Sequence, residues 1–139
     1  MQSAAQIIAE RPLTGLGLDQ FLYAFRDTYI YPDAWPEPDL SHPHNFLLDF
    51  WIRLGIGGAL LAVGFIASGV HLTARSIRAA RFKPFWYWVV LGTAGAFAYT
   101  IAHGLLDNSI FVIDLIFIFF TLYGLTQAVV NFHTSREDA

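Results

Sequence analysis

Three stretches of this chain carry no charged side chain, and each is long enough to cross a lipid bilayer. They cover residues 54–74, 84–106 and 115–135, which are 21, 23 and 21 residues without Lys, Arg, Asp or Glu. A transmembrane helix needs about 20 predominantly apolar residues, whereas a helix of a soluble protein keeps a polar face. The sequence therefore predicts an all-α integral membrane protein with three transmembrane helices, at approximately residues 46–74, 84–106 and 110–132.

Composition excludes several other classes of protein. Charged residues make up 14% of the chain and hydrophobic residues 55%, whereas soluble domains carry about 25% charged residues and disordered chains have low hydrophobicity. The 8 Lys and Arg residues against 11 Asp and Glu residues give a net charge of −3, which indicates no nucleic-acid partner. There is no cysteine, so disulfides, thiolate zinc sites and cysteine nucleophiles are excluded.

The distribution of charge predicts the orientation in the membrane. Four basic residues lie between the first two predicted helices: Arg75, Arg78, Arg81 and Lys83. The positive-inside rule places this link in the cytoplasm. Residues 1–50 hold seven acidic residues against two arginines. We therefore expect residues 1–45 to form an extracytoplasmic segment with short helices, and residues 46–139 to form the membrane segment with its C-terminus in the cytoplasm.

The outer segment shows a helix, a turn and a helix cap. Residues 2–10 have the pattern of a short amphipathic helix, which ends before Pro12 because a proline disfavours helix at the preceding residue. Gly15 and Gly17 can take positive φ. We interpret them as turn residues, because a phosphate-binding loop would need a strand before it and a helix after it. Asn45 is expected to cap the helix that follows, since Asn is a favoured N-cap residue.

Two motifs of this segment resemble a known family. They are "RPLTGLGLDQF" and "HPHNFLLDFWIRLGIGG", separated by 20 residues. In this order they resemble the C-terminal region of the O-antigen ligase and O-antigen polymerase superfamily, whose pattern is a Pro-x-x-Gly-x-Gly turn, an outer loop ending in His-Asn and a helix that opens with a Leu-Gly-x-x-Gly step. The resemblance covers roughly residues 2–65, and the later "HGLLDNSIFVIDL" resembles the family's closing helices more loosely.

The resemblance implies a function. Family members are polytopic bacterial inner-membrane proteins that transfer a glycan from undecaprenyl diphosphate to an acceptor hydroxyl without a metal or other cofactor. This chain would then be the C-terminal part of such an enzyme, inactive alone, with residues 1–45 on the periplasmic or extracellular side. The implied partners are the lipid-linked glycan donor, membrane lipids and an acceptor, which is a growing glycan, the lipid A core or a protein hydroxyl.

The sequence also bears on two other functions. The alternative is a small non-catalytic membrane protein that packs within a polysaccharide-assembly complex, since three helices enclose little volume for two substrates. A transporter is less favoured, because the sequence shows no paired broken helices of the kind that line a midplane substrate site.

His44 is the first candidate for catalysis. Imidazole titrates in the range that suits removal of a proton from a hydroxyl, and His44 matches the family's essential histidine. The structural alternative is a histidine that bonds to backbone at the entry of a helix. His42 could orient His44 or bind the acceptor. No metal is predicted, because no third ligand is evident beside these two histidines.

The arginines are candidates for the donor diphosphate. Arg53 follows Asp49 by four residues, so both lie on one helix face and a local ion pair is expected. The alternative is that Arg53 binds the diphosphate, which suits the planar guanidinium group. Arg11 and Arg26 compete for that role, although each has the pattern of a solvated surface charge.

His103 and Asp107 are supporting candidates. They are also four residues apart, so they are expected to pair at the outer end of the second predicted helix. Ionisable residues near a membrane usually face the protein interior and mark a pairing or a function. Both residues could therefore border the same cavity as His44.

Overall fold

The computed structural model describes residues 2–32, 39–107 and 113–134. These residues form helices and no strands, which confirms the all-α class for this part of the chain. The helices are α1 (Gln2–Glu10), α2 (Phe21–Ala24) with a π-helical turn (Phe25–Tyr29) directly after it, α3 (Phe46–Ala80), α4 (Pro84–Gly104) and α5 (Ile113–Thr134).

Two of these helices are long and apolar enough to cross a membrane. They are α3, with 35 residues, and α4, with 21 residues. At about 1.5 Å per residue, the length of α3 exceeds the roughly 30 Å thickness of a hydrocarbon core, and the length of α4 matches it. The helix α5 has 22 residues, and its role as a third span stays a prediction. Residues 110–112, with which that span was expected to begin, and the C-terminal residues 135–139 lie outside the described residues.

The chain divides into two compact units. The first comprises residues 1–64 and 104–108, and the second comprises residues 65–103 and 109–139. In the first unit α1 is amphipathic, as predicted, because it buries Ser3, Ala4 and Ile7 on one face. The hydrophobic core of this unit consists of Ala4, Ile7, Phe21, Phe25, Tyr29 and Ile52. Each large side chain buried in this way contributes about 1.5–3 kcal/mol to the stability of the fold.

The helix α3 is broken at Gly55. This residue has φ 66° and ψ −157°, so the helix ends before it and begins again after it. The carbonyl of Ile52, which such a break would leave without a helical partner, accepts the N–H of Leu16 at 2.6 Å. The carbonyl of Pro12 accepts the N–H of Ile56 at 2.9 Å on the other side of the break. The turn at residues 12–17 thus replaces the hydrogen bonds that the helix loses.

Two glycines permit this close approach. Gly15 and Gly55 both have φ 66°, a conformation that L side chains rarely adopt. A Cβ atom on Gly15 would lie 2.8 Å from the nitrogen of Gly55, and one on Gly55 would lie 2.7 Å from the nitrogen of Thr14. The interpretation of Gly15 as a turn residue is confirmed, and the apolar pattern alone does not predict the break at Gly55.

The second unit is packed mainly by apolar side chains. Phe65 contacts Phe120 and Tyr123, with ring centroids 5.8 and 5.9 Å apart. The hydroxyl of Ser76 is buried and lies 2.9 Å from the carbonyl oxygen of Leu72 and 3.1 Å from that of Thr126. Several large apolar side chains of this unit are exposed, among them Val70, Trp88, Tyr99 and Phe117. Exposed apolar surface on long apolar helices is typical of contact with lipid.

Candidate functional site

The side chain of Asn45 connects the start of α3 to the segment just after α4. Its Oδ1 accepts the N–H of Leu48 at 3.1 Å, which confirms the predicted N-cap. Its Nδ2 donates to the carbonyl of Leu105 at 3.0 Å. Next to it, the ring of Phe46 covers Gly104, where an added Cβ would lie 2.8 Å from Phe46 Cδ1. One amide therefore fixes the position of the loop before α3 against residues 104–107.

This connection brings His44 next to Asp107. The two residues are 63 positions apart in sequence, and His44 Nδ1 lies 3.3 Å from Asp107 Oδ1. A carboxylate can only accept a hydrogen bond, so this contact favours the neutral tautomer that carries its proton on Nδ1 and its lone pair on Nε2. The side chains are 53% and 48% exposed. The histidine is thus oriented by a carboxylate and half-exposed.

His42 lies beside this pair. Its ring meets the ring of His44 edge to face, with centroids 5.6 Å apart and an interplanar angle of 76°. Ligand atoms of His42, His44 and Asp107 all lie within 4.8 Å of one another. Asp107 is thus a third candidate ligand beside the two histidines, and the expectation of no metal at this position stays a prediction. The sequence suggests that Asp107 borders the same cavity as His44, but it predicts a pair with His103 instead, because His44 is 63 positions away and becomes a neighbour only through the fold.

Arg53 makes the ion pair that its spacing predicts. Its Nε donates to Asp49 Oδ2 at 2.7 Å, and its Nη1 also contacts Asp19 Oδ1. The Asp49 side chain is fully buried and that of Arg53 is 12% exposed. Because Asp19 follows the turn at residues 12–17, this arginine connects the turn to α3. A role of Arg53 in binding the donor diphosphate stays a prediction.

The other predicted site residues have varied surroundings. Arg26 Nη1 lies 3.4 Å from Asp39 Oδ1 in a largely exposed pair, and Arg11 is exposed after the end of α1. His103, in the second unit, stacks on Tyr99 with ring centroids 5.6 Å apart. The structure thus groups His42, His44, Asn45 and Asp107, the last through a direct contact with His44 that no local spacing predicts.

A further polar contact joins α1 to the last residue of the π-helical turn. The hydroxyl of Tyr29 donates to Glu10 Oε2 at 2.5 Å, and Gln6 Nε2 donates to Glu10 Oε1 at 3.0 Å. The hydrogen bond from Tyr29, and then that from Gln6, lowers the pKa of Glu10 below its ordinary value. The same bond, with burial, raises the pKa of Tyr29. No local spacing indicates this contact, because Glu10 and Tyr29 are 19 residues apart.

A comparison with protein families matches residues 1–63 to the family described as O-antigen ligase. This match confirms the resemblance, and the matched segment contains both motifs, the break at Gly55, His42 and His44. No curated protein matches the chain significantly. Together with the two apolar helices, this family match supports a membrane protein of polysaccharide biosynthesis.

Proposed function

We propose that this chain, whose residues 1–63 match the O-antigen ligase family, is the C-terminal part of a glycosyltransferase with His44 as its general base. The enzyme would move a glycan from undecaprenyl diphosphate to an acceptor hydroxyl at the outer face of the bacterial inner membrane. The observation that carries the proposal is the contact between His44 and Asp107 at a half-exposed position. A histidine that only supported the fold would not need an oriented, accessible lone pair.

The proposed reaction is a single displacement. The acceptor oxygen forms a bond to the anomeric carbon, and the bond from that carbon to the diphosphate oxygen breaks. The acceptor proton passes to Nε2 of His44, and the diphosphate leaves with the electron pair. Asp107 holds the Nδ1–H of His44 and stabilises the imidazolium that forms, as a carboxylate does behind other catalytic histidines. General-base catalysis of this kind contributes about 10²–10⁴-fold to a rate.

Asn45 would act as a positioning residue in this reaction. It touches neither the proton nor the substrates, but its two hydrogen bonds hold His44 and Asp107 in one arrangement. His42, whose ring lies against His44, would limit the movement of that ring and contact the acceptor. These roles would keep Nε2 directed at one position for the acceptor hydroxyl.

The donor diphosphate needs cations, and the first unit offers two exposed ones. Arg11 and Arg26 are the better candidates, because Arg53 already contacts two carboxylates. Further cations would come from parts of the enzyme outside this chain. The same base could serve a growing glycan, the lipid A core or a protein hydroxyl, so the proposal concerns the reaction class and leaves the acceptor open.

Glycan transfer in a host that lacks its own enzyme tests the proposal. The full-length enzyme that contains this chain is expressed as wild type, as His44→Ala, and as His71→Ala, a control at an exposed histidine of α3. Lipid A-linked, polymerised and protein-linked glycans are all measured. We expect His44→Ala to lose roughly 100-fold or more of the transfer rate at normal abundance, and His71→Ala to transfer like wild type.

Two results would contradict the proposal. If His44→Ala transfers like wild type, the histidine is structural and the mechanism is wrong. If the wild-type protein inserts into the membrane and transfers none of the three glycans, the non-catalytic role in a polysaccharide-assembly complex replaces the transferase.

A further inference from the structure

We propose that His42, His44 and Asp107 bind a divalent transition-metal ion such as Zn²⁺, and that this metal blocks His44 as a base. The binding part concerns only these three side chains and is independent of the reaction. The blocking part rests on the proposed function.

The spacing of the ligand atoms suits zinc. In a tetrahedral zinc site the bonds to nitrogen and oxygen are about 2.0–2.2 Å long, which places the ligand atoms about 3.3–3.6 Å from one another. His44 Nδ1 and Asp107 Oδ1 are 3.3 Å apart, so this pair already has the required separation. One nitrogen of each histidine and one carboxylate oxygen lie within 4.8 Å of one another, so His42 would have to approach by a side-chain rotation to complete the set. Water would supply the fourth ligand.

The backbone around the ligands is held in place before any metal binds. Pro43, between the two histidines, has a fixed φ angle and therefore limits the freedom of both neighbours. Asn45 bonds to Leu48 and to Leu105, so it connects the segment with the histidines to the segment with Asp107. Little conformational entropy would then be lost on binding. Imidazole nitrogens also favour Zn²⁺ over Mg²⁺, which prefers oxygen ligands.

Metal binding and base catalysis require opposite tautomers of His44. As a base, the ring carries its proton on Nδ1, donates it to Asp107 and keeps the lone pair of Nε2 for the acceptor. With a metal on Nδ1, the proton moves to Nε2, and Asp107 binds the metal instead of the N–H group. The ring then has no lone pair left to accept a proton. Zinc at this site would therefore inhibit transfer reversibly.

Zinc affinity of the purified 139-residue chain in detergent micelles tests the site without any transfer assay. Competition with a chromophoric zinc chelator gives the affinity for wild type, His42→Ala, His42→Gln, Asp107→Asn and the control His71→Ala. We expect each change at His42 or Asp107 to weaken binding roughly tenfold or more, because a ligand is lost. His71→Ala should bind zinc like wild type, and a large excess of Mg²⁺ should not displace the zinc.

The proposal is overturned if wild type does not bind zinc at micromolar concentrations, or if the changes at His42 and Asp107 leave the affinity unchanged while circular dichroism shows intact helices. Equal weakening by His71→Ala would also overturn it. The outcome is separable from that of the transferase proposal. If the cluster binds zinc as expected but His44→Ala transfers glycan like wild type, the metal site stands and the base assignment fails.

Discussion

The two units of this chain are stabilised by different kinds of interaction. The first unit contains the buried pair of Asp49 and Arg53, the hydrogen bonds between the turn and the broken helix, and the two bonds of Asn45. The second unit is packed by apolar side chains, with the Ser76 hydroxyl between two helices as a polar contact. The unit with directional contacts is also the one that holds the candidate site.

This difference has a physical reason. Lipid is as apolar as the helix surfaces, so helices in a bilayer associate through close packing and weak polar contacts. Such packing contacts between helices tolerate small shifts of one helix against another. A site that must direct one lone pair at a substrate needs a fixed geometry, which satisfied polar networks supply. Single substitutions in the first unit should therefore cost more stability than comparable ones in the second.

The largest effect is expected at the buried ion pair. Arg53→Met would leave the buried carboxylate of Asp49 without this cation, and loss of one partner of a buried pair costs about 3–5 kcal/mol. Arg26→Met is the matched control, because Arg26 belongs to an exposed pair that is worth about 1 kcal/mol or less. Denaturant unfolding in micelles measures the free energy of unfolding of both variants. Equal losses for the two variants would contradict the distinction between a structural and a surface arginine.

The break in α3 gives the next largest effect. Gly55→Ala forces a side chain into positive φ and against the backbone of residues 13–14, so we expect a loss of about 2–4 kcal/mol. Gly57→Ala is the control, because a Cβ there meets nothing within 4 Å, and alanine in a helix is about 0.5–1 kcal/mol better than glycine. A stable Gly55→Ala protein would show that α3 can run straight and that the turn is dispensable.

Asn45 allows its two hydrogen bonds to be separated. Asn45→Ala removes both and should cost about 0.5–2 kcal/mol through the lost cap alone. Asn45→Asp keeps the acceptor for the Leu48 N–H but loses the donor to Leu105. We expect Asn45→Asp to retain most of the unfolding free energy and still to lower the transfer rate of the full-length enzyme. If both variants transfer like wild type, Asn45 does not position His44.

A smaller effect is expected in the second unit. Ser76→Ala removes a hydroxyl near the carbonyls of Leu72 and Thr126, and polar contacts between membrane helices average about 0.6 kcal/mol. Ser68→Ala is the control, because its hydroxyl bonds only within its own helix among the described contacts, to Phe65. We expect Ser76→Ala and Ser68→Ala to differ only slightly in their thermal unfolding temperatures in micelles. If Ser76→Ala lowers the stability of the fold as much as Arg53→Met does, the two units do not differ in the way described.

The smallest effect concerns pH. The pKa of Glu10 is lowered in the fold, so its contribution is present above the ordinary carboxyl pKa of about 4.3 and is lost as the pH falls through the folded value. The pKa of Tyr29 is raised, so its contribution is present below about pH 10 and is lost as the pH rises through the folded value. Limited proteolysis of α1 between pH 3 and 7 should show acid sensitivity in wild type that is smaller in Tyr29→Phe, where the hydrogen bond from Gln6 to Glu10 remains.

The features that sequence predicted are local ones. The helix over residues 2–10, the cap at Asn45 and the pair of Asp49 and Arg53 each depend on residues within a few positions. The contacts that sequence missed join distant residues: Arg53 to Asp19 across 34 positions, and His44 to Asp107 across 63. No spacing rule connects such residues. The break at Gly55 belongs with them, because it depends on a turn that docks from elsewhere in the chain.

The transfer rates of four forms of the full-length enzyme test the central claim most directly. They are wild type, His44→Ala, Asp107→Asn and the double variant, compared at equal abundance in membranes. If Asp107 acts through His44, Asp107→Asn is slow, His44→Ala is slower by roughly 100-fold or more than wild type, and the double variant is no slower than His44→Ala. Losses that multiply in the double variant, or an Asp107→Asn enzyme as fast as wild type, would contradict the account.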